Sequence, residues 1–175
     1  SGFGSVQLAY DFSSGVLADG WLHAIARYTH RASGAVAETS FGAHIFNSSA
    51  VYKNEPQSYS SSAPGLTTRL FMRLSPKARS VSCLMYPVSK VWRPVSDTVF
   101  VLRSSAGETV AEARRAIPAN GAVMVYADTL FDAAALAKAG EGGYISVRDT
   151  TCRLFGYAGL MRDSGAFSLD HMFGF

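Results

Sequence analysis

The chain of 175 residues is poor in charge, in cysteine and in long apolar runs, and each shortage closes off a class of protein. Charged residues make up 17 % of it, below the roughly 25 % of an average globular chain, so Ser, Thr, Asn and Gly must supply much of the polar surface. That balance suits β-rich and exported proteins better than helical cytosolic ones, and the expected location is extracellular or periplasmic. No stretch approaches the ~20 consecutive apolar residues of a membrane helix, so no membrane span is expected. The opening Ser1-Gly2-Phe3-Gly4 lacks the charged and then apolar pattern of a signal peptide. The net charge is only +3, from twelve arginines and four lysines without a basic run, which argues against a nucleic-acid partner.

Catalytic signatures are missing as well. The two cysteines, Cys83 and Cys152, match no C-x-x-C metal or redox spacing. There is no histidine pair two residues apart, as a metal site on one strand would use, and no G-x-S-x-G elbow for a serine nucleophile. Gly140, Gly142 and Gly143 follow a helical stretch, the wrong order for capturing a phosphate at a helix N-terminus. Glu38, Glu55, Glu108, Glu112 and Glu141 fall in turns or on polar faces, where paired glycosidase carboxylates do not belong. A triad of serine, histidine and Asp170 exists only as an inventory, because triads are defined by geometry. Asn47-Ser48-Ser49 matches the glycosylation acceptor, a pattern frequent by chance.

What is present is alternation. Val6, Leu8, Tyr10 and Phe12 occupy every second position, which in an extended chain puts them on one face. Leu66, Thr68, Leu70, Met72 and Leu74 do the same against Thr67, Arg69, Phe71 and Arg73. Val81, Cys83 and Met85 then oppose Ser80, Ser82 and Leu84, which marks the first three as the expected core face. Gly20 to Arg31 fits either period, but Ala32-Ser33-Gly34 and the run Ala35 to Phe46 favour a strand in a hairpin. Between Asp97 and Ala127 the run Val99-Phe100-Val101-Leu102, a turn at Ser104 to Gly107 and Thr109 to Arg115 predict a second hairpin. Ile117-Pro118-Ala119-Asn120-Gly121 predicts a tight turn into Ala122 to Tyr126, and the three strands read as a meander. One helix is expected near 129–139, with a capping box at Thr129 to Asp132, strong helix formers to Ala139 and Gly140 as the stop. After it the period returns to two through Ile145 and Val147, Cys152 and Leu154, and Phe167, Leu169, His171, Phe173 and Phe175.

About nine to eleven short strands with turn signals predict an all-β antiparallel sandwich, immunoglobulin/fibronectin-like or jelly-roll-like, as one domain over residues 1–175. The stretch Thr98 to Phe131 resembles the strand-hairpin-strand unit of immunoglobulin-like and fibronectin-like bacterial modules, a likeness of shape without a diagnostic residue. Cys83 and Cys152 are expected on the apolar sides of strands, either as buried thiols or as one disulfide, which needs their Cα atoms within about 4.4–6.8 Å.

Two loops carry aromatic side chains: Tyr52 and Tyr59 in the polar segment from Asn47 to Gly65, and Trp92 beside Arg93 between Pro87 and Pro94. Flat apolar rings with a polar tip gain much on desolvation, so these four residues are the candidate binding set; the alternative is that the rings fold back to cap the sandwich. His171, in an apolar alternation, reads first as a core histidine; joined by His44 from another strand it is the candidate metal pair. The leading expectation is a non-catalytic binding module for a protein or carbohydrate ligand. The alternatives are a metal-dependent or hydrolytic enzyme whose histidines gather from separate strands, and a structural subunit that joins a neighbour through an edge such as the C-terminal strand. No cofactor is assigned.

Overall fold

The computed structural model describes residues 6, 8, 19–46, 68–87, 93–152 and 154–172. Its first unit is a long hairpin of β1 (Asp19–Thr29) and β2 (Val36–Phe46), so the period-two reading of the ambiguous first segment holds. Leu22, Ala24 and Ala26 are more buried than His23, Ile25 and Arg27, and on β2 Ala37 and Thr39 continue the buried face. Val6 and Leu8 lie outside any strand and are exposed. Tyr10, Phe12 and Leu66 fall outside the described residues.

The body is a sandwich of two antiparallel four-stranded sheets. The remaining strands are β3 (Thr68–Arg73), β4 (Arg79–Met85), β5 (Thr98–Arg103), β6 (Thr109–Arg115), β7 (Ala122–Tyr126), β8 (Tyr144–Asp149), β9 (Phe155–Met161) and β10 (Phe167–His171). One sheet runs β3-β8-β5-β6 and the other β10-β9-β4-β7. Only the β5–β6 and β9–β10 connections stay within a sheet; every other link from β3 onward changes sheet. The all-β sandwich class therefore stands.

The β5–β6 hairpin forms as its sequence predicts, with Gly107 at φ 84 closing the turn onto the Ser104 carbonyl. The meander does not. β7 pairs with β4 and not with β6, because the turn at Ile117–Gly121 carries the chain across the sandwich. Asn120, at φ 58, takes the left-handed conformation that turn needs. The single helix is two: α1 (Ala127–Leu130) and α2 (Ala133–Ala139). Asp132 is the break, since its side chain accepts the Ala135 N–H at 2.7 Å and caps a fresh helix. Phe131 at the joint is buried against the sandwich. Cys152 lies in the turn before β9 and not in a strand.

The core lies between the sheets. Leu70, Met72, Phe100, Leu102, Ile145 and Val147 come from one, Leu84, Tyr86 and Val125 from the other, with Met172 beside them. On β4 the expected faces are exchanged: Ser80, Ser82 and Leu84 are buried with that core, while Cys83 and Met85 are only half-buried on the outer face. Ser82 lies inside with Met172 Sδ 3.6 Å from its hydroxyl, and Gly156 leaves the space that Leu84 and Met172 fill. Val81, Cys83 and Met85 are apolar because the outer face has cover of its own. The β1–β2 hairpin leans over it, bringing Tyr28 within electrostatic reach of Cys83 and Tyr157. At the hairpin tip a Cβ on Gly165 would stand 2.5 Å from both His30 Nδ1 and Ser33 Oγ, so only glycine fits the β9–β10 turn there.

Phe100 at the centre and Phe71 on the outside test this layering. Phe100→Ala is expected to lower unfolding free energy by about 3–5 kcal/mol in urea denaturation. Phe71, 43 % exposed, should lose under about 1.5 kcal/mol. Equal losses would contradict the placement of the core.

Candidate functional site

Five segments meet at one end of the sandwich, and their polar side chains are spent on one another. Asp149, the last residue of β8, is 1 % exposed. Its Oδ1 accepts from Thr151 N (2.7 Å), Thr151 Oγ1 (2.7 Å) and Cys152 N (2.8 Å), and its Oδ2 from Thr98 Oγ1 at 3.2 Å. Thr98 stands 2.7 Å from Ser96 Oγ, which accepts the Ile117 N–H at 3.0 Å. The turn so formed presents the Cys152 carbonyl to Thr68 Oγ1 (2.7 Å), and that hydroxyl accepts the Leu154 N–H at 2.8 Å. Buried polar groups demand such partners.

Tyr86 anchors the other side. Its backbone N–H donates to Gly121 O, its carbonyl accepts from Asn120 N at 2.8 Å, and its buried phenol donates to Arg93 O at 3.3 Å. Burial first, and then the neighbouring Cys152, push the Tyr86 phenol well above the ordinary tyrosine range. Burial likewise pushes the Cys152 thiol up, against the opposing pull of Thr151 and Tyr86. A thiol held protonated is a poor nucleophile. The cluster is a clasp that holds this pole together.

Residues of the clasp flank two of the candidate binding segments: Thr68 follows segment 47–67, and Pro87 and Arg93 border segment 88–92. Thr68 is joined through Cys152 and Asp149 to Thr98 and Ser96, and these through the Ile117–Gly121 turn to Tyr86 and Arg93, so the bordering residues belong to one pole. Arg93 is exposed there. Tyr52, Tyr59 and Trp92 lie outside the described residues.

The strand register sets His23 and His44 on one face of the β1–β2 hairpin, diagonal to each other across the strands. His171 sits on the outer sheet face, edge-on to Tyr157 at 5.5 Å and 78° between ring planes, and half-buried instead of enclosed in the core. Asp170 Oδ1 accepts the His171 backbone N–H. His44 pairs with Trp21 across the hairpin, its side chain outside the described residues. His30 bonds Ser33 at the hairpin tip, and His23 is exposed. Among the described residues no three His, Cys, Asp or Glu side chains gather closely enough to hold a metal. Cys83 and Cys152 are free thiols, one on the outer face and one in the clasp, which decides between the two states left open for them.

At the opposite end two open clefts of about 680 and 630 Å³ share Leu74, Ser75, Pro76 and Glu141. Their size suits a small ligand, but Arg79 in the second is already held by both oxygens of Asp128, at 2.7 and 2.9 Å. Sequence reasoning missed the clasp, whose signal was a buried-sounding Asp-Thr-Thr-Cys between apolar runs. The fold and the clasp together define a class: a two-sheet antiparallel sandwich with one pole fastened by a buried carboxyl group. Comparisons with family models, with curated proteins and with solved structures found no match to the chain.

Two outcomes follow from the clasp. The unfolded chain ionises Tyr86 near pH 10 while the folded chain does not, so stability falls as pH rises above about 10. In Tyr86→Phe that alkaline fall should be shallower, at a cost of about 1 kcal/mol at neutral pH for the lost hydrogen bond; parallel pH profiles of the melting temperature would refute the assignment. Thiol titration without reductant should find both cysteines reactive after unfolding, and Cys152 protected in the folded protein.

Proposed function

We propose that the protein is a non-catalytic interaction module, exported or periplasmic, that presents loop residues from one pole of its sandwich to a protein or carbohydrate ligand. The observation that supports this reading is that Thr68 and Arg93, which border the two aromatic segments, belong to one clasp joined through Asp149, Thr98, Ser96 and the Ile117–Gly121 turn. A rigid base under long connections is how sandwich folds position binding residues. Tyr52, Tyr59 and Trp92 supply the flat apolar contact and Arg93 the charged one. The clasp itself favours binding over catalysis, because Asp149, Tyr86 and Cys152 are each occupied in holding the pole together.

Trp21 and Trp92 are the two tryptophans of the chain, so Trp21→Phe leaves Trp92 as a single reporter. Its fluorescence should be quenched by acrylamide nearly as fast as that of free indole, and Tyr59→Ala with Trp92→Ala should leave the melting temperature within about 2 °C of wild type. A shielded Trp92, or a fall of several degrees, would mean that the rings cap the core and would end the binding reading. Ligand screening then uses the same reporter against soluble polysaccharides and against proteins cross-linked to the wild type but not to the double variant.

A further inference from the structure

The outer faces of the two sheets differ in charge. That of β10-β9-β4-β7 is apolar along Val81, Cys83 and Met85 and lies under the β1–β2 hairpin. That of β3-β8-β5-β6 collects arginines from all four strands: Arg69 and Arg73 of β3, Arg148 of β8, Arg103 of β5 and Arg114 of β6. Glu112 answers Arg148 at 3.0 Å in an ion pair that spans β5 and shields Val99 and Val101, and Asp97 answers Arg114 at 2.6 Å. Arg103 bonds neutral groups only, the Gly107 carbonyl and the hydroxyls of Thr109 and Ser146. Arg69 and Arg73 are exposed and have no acidic partner among the described residues. The register even sets Arg69 directly opposite Arg148, a placement that costs stability by itself. Two rings stand among these charges: exposed Phe71 between Arg69 and Arg73, and half-buried Tyr144 between Arg73 and Arg103 in a cross-strand row, with 6.0 Å between ring centroids.

We propose that this sheet face binds an acidic polysaccharide built of uronic-acid residues, at a site separate from the loop pole. Arg69, Arg73 and Arg103 keep their charge for a ligand, and each guanidinium fork can donate two parallel hydrogen bonds to a carboxylate. Arg69 and Arg73 are four positions apart, about 13 Å along β3, with Phe71 midway. A fitting ligand therefore repeats an anion together with a flat, partly apolar surface. A uronate ring carries both, whereas an acidic peptide brings carboxylates without the flat surface. A nucleic acid also carries both, but tight nucleic-acid binders neutralise about six to ten phosphates, and three forks fall short of that. Phe71, Arg73 and Tyr144 also form part of the wall of the first cleft, which Glu141 lines too, so an anion is favoured on the face and disfavoured inside the cleft. No basic run in the sequence announces this face, because its arginines come from four strands.

Native electrophoresis through gels containing polygalacturonate reads this binding. The wild-type chain should be retarded at low salt, less so as salt rises, and not by the methyl ester of the same polymer, which keeps the rings and loses the charge. Arg69→Gln with Arg73→Gln should weaken binding at least about tenfold, and Phe71→Ala about threefold or more. Arg27→Gln with Arg162→Gln removes the same charge from the hairpin and the other sheet and should bind as wild type. Arg69→Gln alone should leave the melting temperature unchanged or raise it, since it relieves the contact with Arg148; a fall would make Arg69 a structural residue and count against the site. The loop variant Tyr59→Ala with Trp92→Ala should also bind as wild type, and a loss there assigns the polysaccharide to the loop pole and overturns the sheet-face proposal. Absence of retardation at low salt, equal retardation by the methyl ester, or tighter binding of oligothymidylate or polyglutamate overturns it as well.

Discussion

Asp149 is 1 % exposed, and a carboxyl group withdrawn from water has to find its hydrogen bonds inside the protein. It finds them at the point where β8 ends and the chain turns toward β9, so its two oxygens set the path of Thr151 and Cys152 and tie them to Thr98 at the start of β5. Everything else at that pole follows in sequence. Cys152 placed in this way offers its carbonyl to Thr68, and Tyr86 nearby holds the turn at Asn120–Gly121 and the carbonyl of Arg93. The two sheets are thus joined at one end by polar contacts, while Phe100, Met72, Leu84 and their neighbours join them along their faces. Removing a member of such a network leaves the others buried without partners, a cost of about 1–3 kcal/mol for each.

The central strand β4 shows what a third layer does to the usual pattern. Its inner side holds Ser80, Ser82 and Leu84, and its outer side Val81, Cys83 and Met85. Ser82 lies inside opposite Ala158 with Met172 beside it, and Gly156 opposite Leu84 leaves the space that Leu84 and Met172 fill. The outer side is apolar because it faces the β1–β2 hairpin and carries the Tyr157–His171 contact. His171 in that position stands edge-on to Tyr157.

The molecule therefore offers two distinct surfaces. One is the clasped pole, where Thr68, Pro87 and Arg93 border segments 47–67 and 88–92; the other is the opposite end, where two open clefts share Leu74, Ser75, Pro76 and Glu141. They differ in physical character. The pole is a network of buried polar groups that satisfy one another, and the second cleft is lined in part by the Arg79–Asp128 ion pair.

Much of this architecture is written locally. Thr68, Leu70 and Met72 against Arg69, Phe71 and Arg73, and the turns at Ser33–Gly34 and Ser104–Gly107, can be read without a structure because strand geometry and turn chemistry depend on residues a few positions apart. Asp132 as a helix cap was legible too, although it was assigned to the end of a capping box and not to the start of a second helix. The exchange of faces on β4, the departure of β7 from the β5–β6 hairpin, the separation of Cys83 from Cys152 and the clasp around Asp149 were not legible. From its amino acids alone this protein was determined to be a set of short, mostly two-faced strands that must stack in layers. Which face turns inward, which sheet each strand joins and which polar residues are buried were decided only by the tertiary structure, because those outcomes depend on partners such as Thr68 and Leu154, 86 positions apart, that no local period can register.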